Sequence, residues 1–253
     1  MPNVPVSVQM YTLRDDAEKN FAAIIKKVAE IGYTGVELAG HGGLSVPDLR
    51  ILLEDNNLKV SGSHVGLDAF EADVNKIIDE NLELGNASVI VPYLADELRG
   101  SADAYRKIAE KLNLYGEKVA AAGLTLGYHN HDFEFKPQDG GDYGLKILID
   151  NTDPKFVSFE LDTYWVLVAG HDPVAFIASN QSRINLLHIK DRNPEDGSFA
   201  EVGTGNLPLD AIVALANAGG RVKWLVVEQD VCKNAPIDAV TTSFNNLKAR
   251  GYA

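Results

Sequence analysis

The sequence holds a single cysteine, Cys232, in 253 residues, so no internal disulfide can form. That fits a reducing compartment, and a thiol at the end of a strand is expected to be buried and structural rather than nucleophilic. Basic residues are scarce: Lys and Arg number 23 against 36 Asp and Glu, a formal net charge of -13, with a pI near 4.8. Nucleic-acid binding draws its affinity from clustered Lys and Arg that release counterions. No nucleic-acid partner is therefore expected, and the acidic surface reads as solvated. No stretch of ~18 apolar residues occurs, and the opening "MPNVPVSVQM" lacks a basic segment followed by an apolar one. Membrane insertion is not expected, and a cytoplasmic protein is. Serine acyl transfer has no Gly-x-Ser-x-Gly elbow to work from.

What the chain does have is one pattern repeated: a helix of 3.6-residue period, a Gly or Asn stop, then a short β-rich run ending in polar residues. Eight such runs occur, at 4–10, 34–38, 58–64, 87–93, 124–131, 156–162, 184–191 and 222–230. In the first helical stretch Phe21, Ile24, Ile25, Val28 and Ile31 form one apolar stripe. Asp15 or Asp16 can cap its start and Gly32 can end it. Alternating strands and helices imply right-handed βαβ units and a parallel sheet. With 45% hydrophobic residues to fill a core, eight units match the ~250 residues of a (β/α)8 barrel. The alternative, an open doubly wound sheet, carries a Gly-rich turn after its first strand when it binds nucleotides; here "QMYTLRD" stands there. The expectation is an α/β fold, a single TIM barrel over residues 1–253, with its site at the carboxyl ends of the strands.

Those ends are rich in functional groups: Gln9, Tyr11, Glu37, His64, His129, His131, Glu160, Asp162, His188, Lys190, Glu228 and Asp230. Side chains two apart on a strand share a face, so His129 with His131, Glu160 with Asp162, His188 with Lys190 and Glu228 with Asp230 can all face the lumen. Carboxylates neutralise a divalent cation, while imidazole favours Mn, Co, Fe, Ni or Zn over Mg and Ca. A lone histidine is ordinarily a satisfied structural group. Four adjacent strands ending in such residues point instead to a metal centre, because buried carboxylates are costly unless paired or metal-bound.

Three loop features have two readings each. In "HDFEF", Phe133 and Phe135 read as packing anchors, while Glu134 can reach a ligand from a loop over the mouth. The glycine-rich "EVGTGNLP" at 201–208 could cradle a phosphate, but it lacks the Lys and spacing of a P-loop, so a flexible loop is expected. Tyr164 and Trp165 can line a sugar pocket by stacking or belong to the core.

The ordered set "SVQMYTLRD", "GVELAG", "GYHNHDFEF", "FELDTYWVLVAGHDP", "LLHIKD", "VGTGNLPLDAI" and "VVEQD" resembles the xylose-isomerase-like TIM-barrel superfamily, in its bacterial sugar phosphate isomerase/epimerase branch. The resemblance runs from about residue 7 to 230. It implies one divalent metal, manganese first, with cobalt, iron, nickel, zinc or magnesium as alternatives. The implied ligands from strands five to eight are Glu, Asp, His and Glu, of which Asp162, His188 and Glu228 match the last three. His129 stands where epimerases carry the first glutamate; it, or else His131, Glu134 or Glu160, completes the shell, and His129 is the choice made here.

The resemblance further implies a keto sugar or keto polyol substrate, carried through a metal-stabilised enediolate by an isomerase or epimerase. Glu228 is the candidate base. His64 or Lys190 would move the second proton, with Glu37 as another option. Gln9, Glu37, His131, Glu134 and Trp165 would hold the substrate. Losing the fifth-strand glutamate weakens a symmetric two-base epimerisation. A lyase or dehydratase acting on a 3-keto glycoside or inosose through the same intermediate is the alternative. A carbohydrate-binding barrel without activity is a further one. An apurinic endonuclease would need more histidines and a basic face. Family habit suggests a homo-oligomer, often a dimer.

Overall fold

A computed structural model describes residues 3–253; Met1 and Pro2, the start of the expected 1–253 domain, lie outside the described residues. The eight expected strands form a closed parallel barrel: β1 (Val6–Gln9), β2 (Gly35–Leu38), β3 (Lys59–His64), β4 (Ser88–Val91), β5 (Thr125–His129), β6 (Val157–Asp162), β7 (Ile184–Ile189) and β10 (Trp224–Val227). Each neighbours the next in sequence, and β10 closes on β1. The strands β8 (Asp191–Arg192) and β9 (Phe199–Ala200) make a small antiparallel hairpin beyond β7. Around the barrel run α1 (Arg14–Ile31), α2 (Val46–Asp55), α3 (Leu67–Glu83), α4 (Ala102–Ala121) and α5 (Gly144–Asn151). They are followed by α6 (Thr163–Val168), α7 (Pro173–Asn180), α8 (Leu209–Gly219) and α9 (Pro236–Ala249). Among the described residues no helix is long and apolar enough to cross a membrane.

The main core lies between strands and helices, where Val8, Val36, Leu161, Leu187, Ile189 and Val227 meet Ile25, Leu112, Ile177 and Val240. Alternation turns the other strand residues inward, and near the mouth that inner layer is polar. Two local features make room for it. The ladders slip by one residue between Val36 and Glu37 against β3, and between Phe159 and Glu160 against β7. Such bulges re-aim side chains, and here they occur at Glu37 and Glu160, the two deeper glutamates of the lumen. Gly62 on β3 is the second feature, since a Cβ there would stand 2.5 Å from Glu37 Oε1.

Three expectations need correction. The cap of the core-facing part of α1 is neither Asp15 nor Asp16: the helix breaks at Asn20 (φ -159°, ψ 86°), whose Oδ1 accepts from Ala23 N at 3.0 Å. Gly32 does end it, in the left-handed region at φ 117°. The loop at 201–208 is neither free nor a phosphate cradle. Its Gly203, Gly205 and Leu207 amides donate to the Asp191 carboxylate at 2.9 Å each, so an internal anion already fills the nest. Cys232 is half-buried in the loop after β10, where burial pushes its thiol up to about 11. Phe133 and Phe135 are buried as expected. The Tyr–Trp pair divides: Tyr164 is buried and stacks on Phe199 at 4.4 Å, whereas Trp165 turns toward the barrel mouth.

Asn20→Ala is expected to lower stability by about 1 kcal/mol through loss of the cap, and Asp15→Ala to stay within about 0.5 kcal/mol of the parent. Urea denaturation of the two variants checks the assignment.

Candidate active site

The residues that end β5 and β6 are held by backbone contacts before any ligand is considered. Asp162 ends β6 and caps α6, its Oδ1 accepting from Tyr164 N at 3.0 Å and Trp165 N at 3.1 Å. That leaves Oδ2 for the lumen, 3.3 Å from His129 Nε2 and 2.9 Å from Lys190 Nζ. Asn130 ties β5 to β6 by accepting from Asp162 N at 3.0 Å. His129 Nδ1 donates to Pro92 O at 3.3 Å, so its Nε2 lone pair faces inward. His188 is fixed from the other side, donating from Nε2 to Glu37 Oε2 at 2.6 Å and turning Nδ1 toward Glu228 Oε2 at 2.8 Å.

The result is two tiers that share His188. In the upper tier His129, Asp162, His188 and Glu228 bring one ligand atom each within 4.8 Å of one another, all four side chains buried. In the lower tier Glu37, His64, Glu160 and His188 do the same. Lower-tier contacts of 2.6, 2.8, 3.1 and 3.2 Å are hydrogen-bond lengths. The upper tier has one such contact, His188–Glu228 at 2.8 Å, and wider gaps of 3.3 Å between His129 and Asp162 and 4.0 Å between His188 and Asp162. These bracket the ~3–3.5 Å separation of ligands ~2.1 Å from a cation, and His129 and Glu228 also line the cavity. The donor set of two imidazoles and two carboxylates fits a borderline divalent ion in the upper tier. The lower tier orients His188.

Charge explains why so much polarity can be buried. Lys190, about 1% exposed, contacts Asp162, Glu228 at 2.7 Å and Asp230 at 3.0 Å. Burial pushes the Glu228 carboxyl up, but the Lys190 ammonium and His188 outweigh it and hold it well below the usual range. Asp162 is depressed in the same way. Asp230 moves the other way, raised mainly by burial. Burial pushes the His64 imidazole down, yet the Glu37 and Glu160 carboxylates beside it raise it to about 10. His131 has no such partner and burial drives it down to about 2, a neutral ring with an unpaired Nδ1. Glu37 Oε1, Glu160 Oε1 and Trp165 Nε1 are likewise buried without a partner.

Above the tiers opens a cavity of about 600 Å3, with His64, His129, His131, Lys190, Glu228 and Asp230 at its floor and walls. Trp165 stands beside it, 5.7 Å from His131 and 5.8 Å from Lys190 Nζ. Three expected substrate residues are elsewhere. Gln9 is buried under the floor, donating to Glu37 Oε2 at 2.6 Å, and Glu37 itself is covered by His64 and His188. Glu134 is turned outward behind β5, accepting from Tyr128 Oη at 2.6 Å and His131 N at 2.7 Å. The rim holds Tyr11, Arg14, Tyr93 and Val231, to which the sequence reading assigned no role. Tyr11 stood among the polar strand-end residues without a role, Tyr93 closes the fourth β-rich run, and Arg14 carries no local signal.

Known proteins share this fold. A family model described as xylose isomerase-like TIM barrel matches residues 25–249. The chain belongs to the xylose isomerase-like TIM barrel family. Within that family it is similar to a sugar phosphate isomerase/epimerase of Parabacteroides distasonis, 26% identical, covering all of this chain and 96% of that one with a TM-score of 0.86. It is also 22% identical over 251 residues to an inosose dehydratase of Bacillus cereus (strain AH820), covering 85% of this chain and 83% of the relative. The IOLI protein, solved with a bound zinc atom, shares the fold at 13% identity, with a TM-score of 0.76 over 97% of each chain.

Two outcomes follow for this xylose isomerase-like barrel. Purified chain is expected to hold about one divalent ion by elemental analysis. His129→Ala and Asp162→Ala should weaken retention against a chelator more than about tenfold, while Glu134→Ala keeps it. Burial pushes the Glu134 carboxyl up to about 7. The folded chain therefore binds a proton there that the unfolded chain releases from about pH 4.5 upward. Glu134 then costs stability progressively as pH rises between those values, at up to about 1.4 kcal/mol per pH unit. Glu134→Gln removes that slope, so its melting temperature relative to the parent should climb from pH 5 to pH 8.

Proposed function

We propose that this chain is a divalent-metal-dependent enzyme that removes the proton beside the carbonyl of a keto sugar or keto polyol and then expels a β-hydroxyl or β-alkoxyl group. The observation that carries this reading is the one-sided placement of carboxylates. Glu228 and Asp230 both belong to the eighth-strand wall of the cavity, and the facing fifth-strand wall offers only His129 and His131. A two-carboxylate epimerisation needs a base on each face of the substrate. Elimination needs one base and one acid.

His129, Asp162, His188 and Glu228 would hold the ion. When bound, it supplies Lewis-acid polarisation of the carbonyl, which makes the neighbouring C–H acidic enough for a carboxylate. Manganese is the expected ion, and the zinc in the IOLI protein makes zinc the alternative. Glu228 accepts the proton. Its Oε2 is taken by His188 and Lys190, leaving Oε1 toward the cavity, and its depressed pKa keeps it ionised at neutral pH. His64 donates to the departing oxygen. Its Nε2 is committed to Glu160 and Glu37 while the ring lines the cavity, so Nδ1 is the nitrogen that faces the substrate. The C–H proton ends on Glu228, the C–O pair leaves with the His64 proton, and the product is an unsaturated ketone plus water or alcohol. Lys190 keeps Asp162, Glu228 and Asp230 together; His131 and Trp165 offer an unpaired imidazole nitrogen and indole N–H for hydroxyls.

The inosose dehydratase relative supports elimination. The second reading, isomerase or epimerase, draws support from the Parabacteroides distasonis structure, and would use His64 to return the proton to carbon.

Incubating metal-loaded enzyme with 3-keto glucosides and inososes in deuterated water, followed by NMR, distinguishes them. Elimination yields a vinylic signal, and isomerisation yields deuterium at carbon with no loss of oxygen. Glu228→Gln should slow either by about 10²–10⁴-fold, and full turnover in that variant would remove Glu228 as the base. If no metal-dependent product or exchange appears, a carbohydrate-binding barrel without activity becomes the better description.

A further inference from the structure

A second hollow of about 550 Å3 adjoins the active-site cavity, and Tyr11, Arg14 and Ala39 line both. Its own walls come from Met10 below, Ala17, Glu18 and Phe21 on α1, and Gly42 and Gly43 after β2. Pockets for whole small ligands span ~300–1,000 Å3, so a monosaccharide bound over the metal tier leaves this second space empty. The space is built into the backbone. Gly42, at φ 61°, lies against Phe21, where a Cβ would stand 2.2 Å from the ring. Gly40 and Gly43 on either side border open space.

The chemistry of the walls selects the occupant. Tyr11 is 45% exposed, and its ring is fixed by the Arg14 guanidinium 4.1 Å from its centroid. Arg14 in turn donates to Tyr11 O at 2.7 Å and Asp230 O at 3.0 Å, which anchors the first strand's loop to the eighth. Those two bonds hold the guanidinium flat against the Tyr11 ring, and Glu18 on the same wall repels a phosphate. Apolar faces with a fixed aromatic ring favour a neutral ring that stacks.

We infer that this hollow is a second subsite, holding an uncharged ring, glycosyl or aryl, joined through oxygen to the sugar in the first. The inference rests on the carbohydrate reading above, and makes the preferred substrate a glycoside, not a free or phosphorylated sugar.

Ligand-observed NMR titration of the metal-loaded enzyme with phenyl β-glucoside, maltose, glucose and glucose 6-phosphate tests it without requiring turnover. Phenyl glucoside or maltose is expected to bind at least fivefold more tightly than glucose, and which of the two gains more tells aryl from glycosyl. Ala17→Trp fills the hollow and should bring both down to the level of glucose, leaving glucose itself unchanged. Glu18→Trp, at an exposed helical position, repeats the block where Ala17→Trp disturbs folding. The subsite is overturned if neither ringed ligand gains over glucose, if the gain survives both substitutions, or if glucose 6-phosphate binds tightest. Loss of deuterium exchange on keto sugars with these affinities intact would instead remove the enzymatic reading and leave the subsite standing.

Discussion

A buried ammonium group makes the mouth of this barrel possible. Lys190 lies within 3.0 Å of carboxyl oxygens from Asp162, Glu228 and Asp230, which arrive from two strands on either side of its own. Without a positive charge at that point, three acidic groups would confront one another at the cavity floor, with Asp162 and Glu228 buried and costly to desolvate unpaired. His188 repeats the device one layer down, where its two nitrogens link Glu37 below with Glu228 above. A dication held by His129, Asp162, His188 and Glu228 would extend the same compensation. The site is best understood as a column of alternating charge, in which every acid has a cation or donor between it and the next acid.

Much of this was legible from the chain. The barrel followed from eight polar-tipped β-rich runs separated by helical stripes, a pattern repeated often enough that no single boundary mattered. The upper tier followed from strand ends, because His129, Asp162, His188 and Glu228 close four successive strands at the carboxyl face of a barrel. The lower tier did not. Glu37 and Glu160 owe their position to ladder slips that leave no mark in composition or period, so their pairing with His64 and His188 emerged only in three dimensions. Glu134 shows the opposite failure: a carboxylate near the site in sequence satisfied its bonding locally, through Tyr128 and the His131 amide. The cap at Asn20 was hidden because two aspartates at the start of the same helix offered a cheaper explanation.

The two kinds of relative point to one chemical fork. A dehydratase and an isomerase/epimerase can share the step that removes a proton beside a carbonyl, and differ in what happens to the electron pair afterwards. On the proposed reading the fifth strand governs the fork. An imidazole at His129 would serve the ion in place of a carboxylate and leave that wall without an anionic base. The carboxylates gathered on the eighth strand would then make the chemistry one-sided. The choice of ligand type and the choice of reaction are therefore coupled through a single position.

Gly62 carries the least chemistry of any residue near the site, and its effect reaches furthest. Because it lacks a side chain, Glu37 can lean across β3 and occupy the volume a methyl group would claim. Evict Glu37, and the His188 Nε2 proton loses its 2.6 Å acceptor and keeps only Glu160 Oε2 at 3.1 Å. The ring is then freer to turn, and the nitrogen aimed at Glu228 is less firmly presented. Gly62 thus behaves as a keyhole in the wall of the barrel: an absence of atoms that helps decide which way an imidazole four strands away in the closed order points.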